Sequence, residues 1–366
     1  MNETSDFLIL GGGIAGAGAA ARLAPDASVT VLEMEDALGR HSTGRSAAIF
    51  IRNYGNRTLR ALNAASEPVL KNPEGISDFS LLSPRGEMLI ATEDELAHFH
   101  DYLEGADGME VLTAEEAVAL FPLLRKEGIA AAAIERDAQD IDVDRLLQGF
   151  ARHAKRHGTN IVTEAPAQRI ERAGGVWRVD TPRGTFEAPV LINAAGAWAD
   201  QVAEMAGAGT VGLVPMRRSA AIVPPPDGVD VTKWPLVASA SESWYVKPDA
   251  GKLMVSPADE DPVDPHDAWP DDMVLAEGLY RFEQAVTMPV TRVERNWAGL
   301  RSFVSDRTPV VGFAPDAEGF FWLAGQGGYG VQTAPALSQL AADLCFERSS
   351  ELQDDVINSL NPARLF

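Results

Sequence analysis

The residues of this chain with the most specific chemistry are glycines. Gly11, Gly13 and Gly16 have the spacing G-x-G-x-x-G in GGGIAG, directly after the apolar run FLIL and directly before an alanine-rich stretch that ends at Leu23. Such a turn is suited to a diphosphate. The first glycine permits the tight turn, the second lets the backbone approach a pyrophosphate with no Cβ in the way, and the third lets helix and strand pack closely. The N–H groups at the helix start then face the anion along the helix dipole. An acid about 20 residues further on is expected at the ribose diol. Glu33 stands twenty residues after Gly13, and its charge disfavours a 2′-phosphate. The turn alone would be weak evidence; strand before, helix after and acid beyond make it specific for a dinucleotide.

The fingerprint does not separate NAD from FAD. A second glycine-bearing strand-to-helix junction, Gly325 to Gly330 in GQGGYG, favours FAD, because a flavin needs a backbone cradle far from the adenosine. A bare C-terminal βα junction is the alternative reading. The single cysteine, Cys345, can form neither an internal disulfide nor a thiolate metal site, and no bound metal is expected. Lys plus Arg of 31 against Asp plus Glu of 53 leaves a net charge of -22, which repels phosphate backbones and anionic lipid, so no nucleic-acid or membrane-surface partner is expected. The start MNETSDFLIL has no basic region and its apolar run soon meets glycines, so the expectation is a cytoplasmic protein without a signal peptide or transmembrane segment.

These residues need a scaffold. FLIL reads as a buried strand, the stretch to Leu23 as a helix, and Val29 to Leu32 as a second strand with Glu33 at its carboxyl end. Helices are expected over Arg57 to Leu70, Asp94 to Leu103, from the capping box at Thr113 towards Leu120, and over the amphipathic Asp142 to His157. Strands follow at Asn160 to Thr163, Val176 to Asp180 and Ala188 to Asn193. From Gly212 to Arg301 the pattern is mostly β, with a hairpin of Ser243 to Val246 and Lys252 to Ser256, and with Val223 to Val231 and the acidic Asp259 to Asp272 as surface loops. GFFWLAG is the last buried strand, leading into a helix that ends near Cys345. At 366 residues two lobes are expected, since single cores stop growing near ~250–300 residues.

At His41-Ser42-Thr43-Gly44-Arg45-Ser46-Ala47-Ala48, taken with GGGIAG, NAAGAW, ESWYVKPDAG, NWAGLRSF and GQGGYGVQT, the chain resembles the D-amino-acid oxidase-like flavoenzymes that include glycine and sarcosine oxidases. Within them it is most similar to the bacterial FAD-dependent D-arginine dehydrogenases, over Asp6 to about Thr333. The resemblance implies an α/β fold: a Rossmann-like FAD-binding lobe assembled from 1–50, 140–210 and 302–366, and a substrate lobe of 51–139 and 211–301 on a mixed, largely antiparallel sheet. It places Ala15, Glu33, Met34 and Ser42, Thr43, Gly44, Arg45, Ser46, Ala47 and Ala48 around FAD, beside Gly11, Gly13 and Gly16. Ala167 would lie beside the adenine, and Gly327, Gly328, Tyr329, Gly330, Val331 and Gln332 near the flavin. Cys345 lies past the GGYG turn, so the flavin is expected to be non-covalent.

The resemblance also implies a substrate site. Arg301 and Arg218 match carboxylate-binding positions, where an arginine fork holds a carboxylate bidentately, although Arg217 is the alternative to its neighbour. Tyr245 would donate its hydroxyl to the same group, Tyr54 would be a lid residue, and the Gly328 carbonyl would accept from the amine. Glu87 aligns with a glutamate that faces the cationic tip of basic D-amino acids. Two departures stand out. Ile49 occupies a position where the D-arginine dehydrogenase pattern has histidine, and Arg52 brings a charge ahead of Tyr54. His41 precedes the flavin segment and reads as a loop residue. No catalytic acid or base is assigned, because the flavin carries the redox chemistry.

The resulting expectation is oxidative deamination of a D-amino acid, D-arginine or D-lysine preferred, by hydride transfer to flavin N5. The imino acid then hydrolyses to 2-oxo acid and ammonia, and the electron acceptor (quinone, dye or oxygen) stays open. One alternative, motivated by Ile49, is an N-substituted amino acid of the sarcosine or opine type. Another class is a non-catalytic flavin-binding subunit or sensor; a third is an NAD-dependent dehydrogenase, which the second glycine junction disfavours.

Overall fold

The computed structural model describes residues 2–366. Its first layer is a six-stranded sheet in the order Asn160–Val162, Val29–Leu32, Phe7–Leu10, Val190–Asn193, Phe320–Ala324 and Val310–Phe313. The first five strands are parallel and the last is antiparallel. FLIL is buried throughout because both faces are covered: Phe7 and Ile9 join a core with helix residues such as Ala20 and Leu340, while Leu8 and Leu10 join Trp177, Val179 and Phe186. Helices Ile14–Leu23, Val143–Arg156 and Gly330–Cys345 pack together on one face. The other face carries a small sheet of Asn2–Thr4, Gly184–Ala188, Val176–Thr181 and Arg169–Ala173.

A nine-stranded sheet forms the second body. Its path is Asp261–Pro262, Val214–Val223, Lys252–Ser256, Tyr245–Asp249, Leu236–Ser239, Glu87–Ala91, Ala131–Glu135 and Met109–Leu112, with Arg295–Phe303 also paired to Val214–Val223. Leu236–Ser239 runs parallel to Glu87–Ala91, and every other pairing is antiparallel. One face packs Val223, Val237, Val246 and Val255 against Phe282 and Phe121. The opposite face, set by the two-residue period of each strand, carries Arg218, Tyr245, Met254 and Glu87. A bridge of Ile49–Phe50, Gln139–Ile141 and Leu82–Pro84 lies between the two bodies in the chain.

The helix beginning at Thr113 has the full capping box, with Thr113 Oγ1 accepting from the Glu116 N–H and Glu116 reaching back to the Thr113 N–H. The mostly-β expectation for Gly212 to Arg301 needs one correction: helix Asp272–Ala285 lies within it. Its apolar stripe is diluted by Gly278, which the fold needs because a Cβ there would stand 2.1 Å from the Pro257 side chain.

Candidate functional site

A cavity of about 360 Å³ runs from the glycine turn to the second sheet. At the first end the three fingerprint glycines have different tasks. Gly11, at φ +105°, lies so close to the next strand that a Cβ would sit 2.4 Å from the Ala194 carbonyl oxygen. A Cβ on Gly16 would stand 1.9 Å from the Gly11 carbonyl oxygen, so that glycine lets the helix meet the turn. Gly13 differs: a Cβ would meet only Thr43 Oγ1, at an ordinary 3.4 Å, and the residue lines the cavity. The protein itself does not require glycine there, whereas a diphosphate lying on the turn would.

Glu33 is held at the wall, accepting from the Gly12 N–H (2.7 Å) through Oε2 and from the Glu35 N–H (2.9 Å) through Oε1. The Glu33 carbonyl accepts from the Ala165 N–H, which brings Ala165 and Ala167 to the same wall. Thr43 Oγ1 accepts from the Ile14 N–H at 3.0 Å, tying the 42–48 segment to the helix start, and Ser42 donates to the Leu300 carbonyl at 2.6 Å. Ala48, also on the wall, holds φ +58°, a left-handed conformation that a non-glycine residue keeps only when its surroundings enforce it.

Gly11, Gly13, Ala15, Glu33, Met34, Ser42, Thr43, Arg45, Ser46, Ala47, Ala48, Ala167, Gly327, Gly328, Gly330, Val331 and Gln332 all line the cavity. Gly16, Gly44 and Tyr329 do not, each for a packing reason. Gly16 serves helix–turn contact, Gly44 sits where a Cβ would be 2.7 Å from the Gly39 carbonyl oxygen, and the Tyr329 ring packs in the core against Tyr54, at 4.7 Å between centroids. His41 is more than a loop residue: it lines the cavity, its Nε2 lies 2.8 Å from Glu35 Oε1, and its ring packs at a tilt against Trp198, with 4.8 Å between centroids. Trp198, Gln201, Trp297 and Gln326 also line the wall. Both tryptophans stand in motifs that carry the resemblance, NAAGAW and NWAGLRSF, but were passed over as site residues, because no local pattern shows which way a ring turns. Cys345 is the last residue of its helix and is absent from the lining; burial pushes its thiol up to about 12.

At the other end, Tyr54, Arg218, Tyr245, Arg301 and Gly328 line the same cavity. Strand register explains the two arginines: Met216 lies opposite Arg301 and Arg218 opposite Gly299, so Arg218 and Arg301 share a face and Arg217 points the other way, to Asp261. Arg218 is already engaged, with Nε donating to the Asp259 carbonyl and Nη2 to Glu260 Oε1, both at 2.8 Å. Arg301 is not. Its Nη1 donates to the Tyr54 hydroxyl at 3.2 Å, and among the described residues it forms no ion pair. Burial acts to lower its pKa, but Tyr54, Tyr245 and the more distant Glu242 carboxylate together outweigh that and raise it, so the guanidinium stays charged. Gly328 hugs it so closely that a Cβ would lie 2.8 Å from Nη1. An enclosed guanidinium without a carboxylate is costly unless an anion joins it.

Glu87 lies on the site face of the sheet but is not part of the cavity lining. It is buried, with the Tyr102 hydroxyl 3.4 Å away and Glu135 directly opposite on the neighbouring strand. Burial first, then the charge of Glu135, pushes its carboxyl up to about 8. Glu135, which sequence reasoning passed over, accepts from the N–H groups of Arg52 (2.7 Å) and Asn53 (3.2 Å). Ile49 is on the cavity wall, while the Arg52 guanidinium pairs with Glu67 at 2.8 Å. Among the described residues there is no helix long and apolar enough to cross a membrane and no cluster of three potential metal ligands.

Comparison with known proteins bears on what this cavity holds. Glycine oxidase of Bacillus licheniformis is 26% identical over 357 residues, covering 94% of each chain. The solved structure of glycine oxidase from Geobacillus kaustophilus superposes with a TM-score of 0.85 at 21% identity over 100% of both chains. That of L-proline dehydrogenase from P. horikoshii also gives 0.85, at 23% identity, over 100% of this chain and 98% of the other. The sequence pattern of the DAO family, FAD dependent oxidoreductase, matches residues 6–344. A glycine that only a ligand needs, an acid pinned at the same wall and a second glycine-backed wall at Gly327 to Gly330 fit the cofactor of that family. The two-lobed α/β chain is therefore a member of the DAO family of FAD-dependent oxidoreductases, and FAD is its cofactor.

Proposed function

We propose that this protein oxidises the Cα–N bond of an α-amino acid, giving an imino acid that water hydrolyses to a 2-oxo acid and an amine or ammonia. The observation that carries the reading is Arg301: a charged guanidinium in the cavity wall that, among the described residues, donates a side-chain hydrogen bond to the Tyr54 hydroxyl and forms no ion pair. A substrate carboxylate supplies the missing anion in the bidentate geometry arginine favours. Tyr54 and Tyr245 present hydroxyls beside it, and Arg218, paired with a Glu260 carboxylate that it shares with Arg307, adds further donors. Bound FAD supplies the two-electron oxidant. The chain's own residues fix the carboxylate, so that Cα has one orientation in the cavity; pre-set orientation is a large part of rate enhancement in such a site. Relatives whose names state glycine oxidase and L-proline dehydrogenase are consistent with an amino-acid substrate.

Within that class, a basic D-amino acid such as D-arginine or D-lysine is the reading Glu87 favours, in line with the resemblance to D-arginine dehydrogenases. A smaller or N-substituted amino acid is the second reading, favoured by Ile49 on the wall and by the absence of Glu87 from the cavity lining. The test is product analysis after turnover with an artificial acceptor across D-, L- and N-methyl amino acids. Ammonia and 2-oxo acid from D-arginine or D-lysine support the first reading. Methylamine or glyoxylate from sarcosine supports the second. No product from any amino acid removes both and leaves a flavin-binding subunit.

A further inference from the structure

The segment Ile51–Tyr54 belongs to no helix or strand, yet its backbone is tied by side chains from three elements. Asn63, buried in helix Arg57–Lys71, donates through Nδ2 to the carbonyls of Ile51 (3.2 Å), Arg52 (3.2 Å) and Tyr54 (3.1 Å). Gln332, at the start of helix Gly330–Cys345, donates to Asn63 Oδ1 (2.8 Å), while its own Oε1 accepts from the Ile51 N–H (3.1 Å). From the sheet side, Glu135 accepts from the Arg52 and Asn53 N–H groups and from Asn53 Nδ2, the last at 2.6 Å.

A buried amide in a helix otherwise packed with Leu59 and Leu62 is expensive unless all its hydrogen bonds are made. Here the amide group spreads its two hydrogens over three carbonyls and accepts one bond from Gln332. A leucine would fill the space. What only an amide does is hold the turn that delivers the Tyr54 hydroxyl to Arg301 Nη1. The far end of the same network, Gln332, is itself on the cavity wall.

We infer that Asn63 is a positioning residue for the carboxylate site: by gathering the carbonyls of Ile51, Arg52 and Tyr54 it fixes the Tyr54 hydroxyl on the Arg301 guanidinium, and so sets the direction of the fork. Tyr54 then stands on a clamped turn in place of a free lid. The inference rests on the amino-acid reading above for the identity of the ligand, but the clamp itself does not.

The experiment is a double-mutant cycle with Tyr54→Phe on the FAD-loaded protein. Asn63→Ala is expected to raise KM for the best amino acid about tenfold with kcat within about twofold, the scale of a lost buried hydrogen-bond set. In the Tyr54→Phe background the same substitution is expected to change KM by less than about twofold, because the two residues act through one contact. Equal factors in both backgrounds, or a loss of kcat at unchanged KM, overturn the inference. If Asn63→Ala yields no folded flavoprotein, Asn63→Thr, close in volume and able to donate one bond, takes its place with a smaller KM increase expected and the same criteria. Tryptic cleavage at the Arg52–Asn53 bond gives a second readout that needs no substrate. It is expected to be about tenfold faster in the Asn63 variant, since cleavage follows local opening. Unchanged cleavage contradicts the clamp, even where a wild-type flavin that no amino acid reduces has already removed the amino-acid reading.

Discussion

Arg301 and Glu87 show opposite solutions to an enclosed charge. Arg301 keeps its charge and, among the described residues, forms no ion pair, so replacing it with lysine should leave FAD content unchanged while raising KM for the amino acid on the order of 10²-fold, because an ammonium cannot form the fork. Steady-state kinetics beside the flavin absorbance of the purified variant check this. Glu87 instead keeps its proton. Its carboxyl is raised from 4.5 to about 8, so the folded protein holds a proton that the unfolded chain releases between those values. The stability linked to Glu87 is then complete below about 4.5 and is lost as pH rises through about 8. Glu87→Gln, neutral throughout, should melt higher than wild type at about pH 9 and not at about pH 5. If Glu87 receives a cationic side chain, KM for D-arginine should also fall as pH rises through about 8 while KM for D-alanine does not follow. Identical profiles for the two would detach Glu87 from specificity.

At the scale of elements, the glycine turn separates folding from binding. Gly13→Ala places its Cβ in ordinary contact with Thr43 Oγ1, so the apoprotein should fold and melt within about 1 kcal/mol of wild type yet lose most FAD affinity. Gly16→Ala drives a Cβ to 1.9 Å from the Gly11 carbonyl oxygen and should reduce the yield of folded protein itself. Thermal melts of apoprotein and FAD titrations distinguish the two. The same elements show what a sequence can and cannot convey. The strands and helix around Gly11 to Glu33 were legible because a continuous apolar run, a glycine turn and a small-residue helix each constrain the backbone locally. The choice between Arg217 and Arg218 was not. It depends on the two-residue period of Val214–Val223 being in register with Arg295–Phe303, about eighty residues away in the chain. Glu135 and Asn63 were passed over for a related reason: a glutamate in an alanine-rich strand and an asparagine in a helix look like solvated surface until the fold buries them. The same holds for Glu87, whose alignment suggested a pocket wall and whose packing puts Tyr102 and Glu135 against it.

For the whole molecule, a net charge of -22 acts as self-repulsion within one compact body. Raising salt from about 0.05 M to about 0.5 M shortens the screening length from more than 10 Å to a few Å, so the melting temperature should rise over that range. A flat or falling trend would mean that the paired arginines and carboxylates, such as Arg85 with Asp140, outweigh the excess. The two bodies also divide the work at this scale. The parallel sheet and its glycine turn line one end of the cavity, the mixed nine-stranded sheet presents Arg301 and Tyr245 at the other, and the turn at Tyr54 reaches from the helix Arg57–Lys71 side to Arg301. The central claim, that this cavity joins FAD to an amino acid held by its carboxylate, is tested most directly by the visible spectrum of the FAD-loaded protein under anaerobic titration with amino acids. The account predicts that the visible flavin band bleaches with at least one amino acid, and that this bleaching is lost when the carboxylate is replaced by an amide. A band that persists with every amino acid, or that bleaches equally with the corresponding amides, would contradict it.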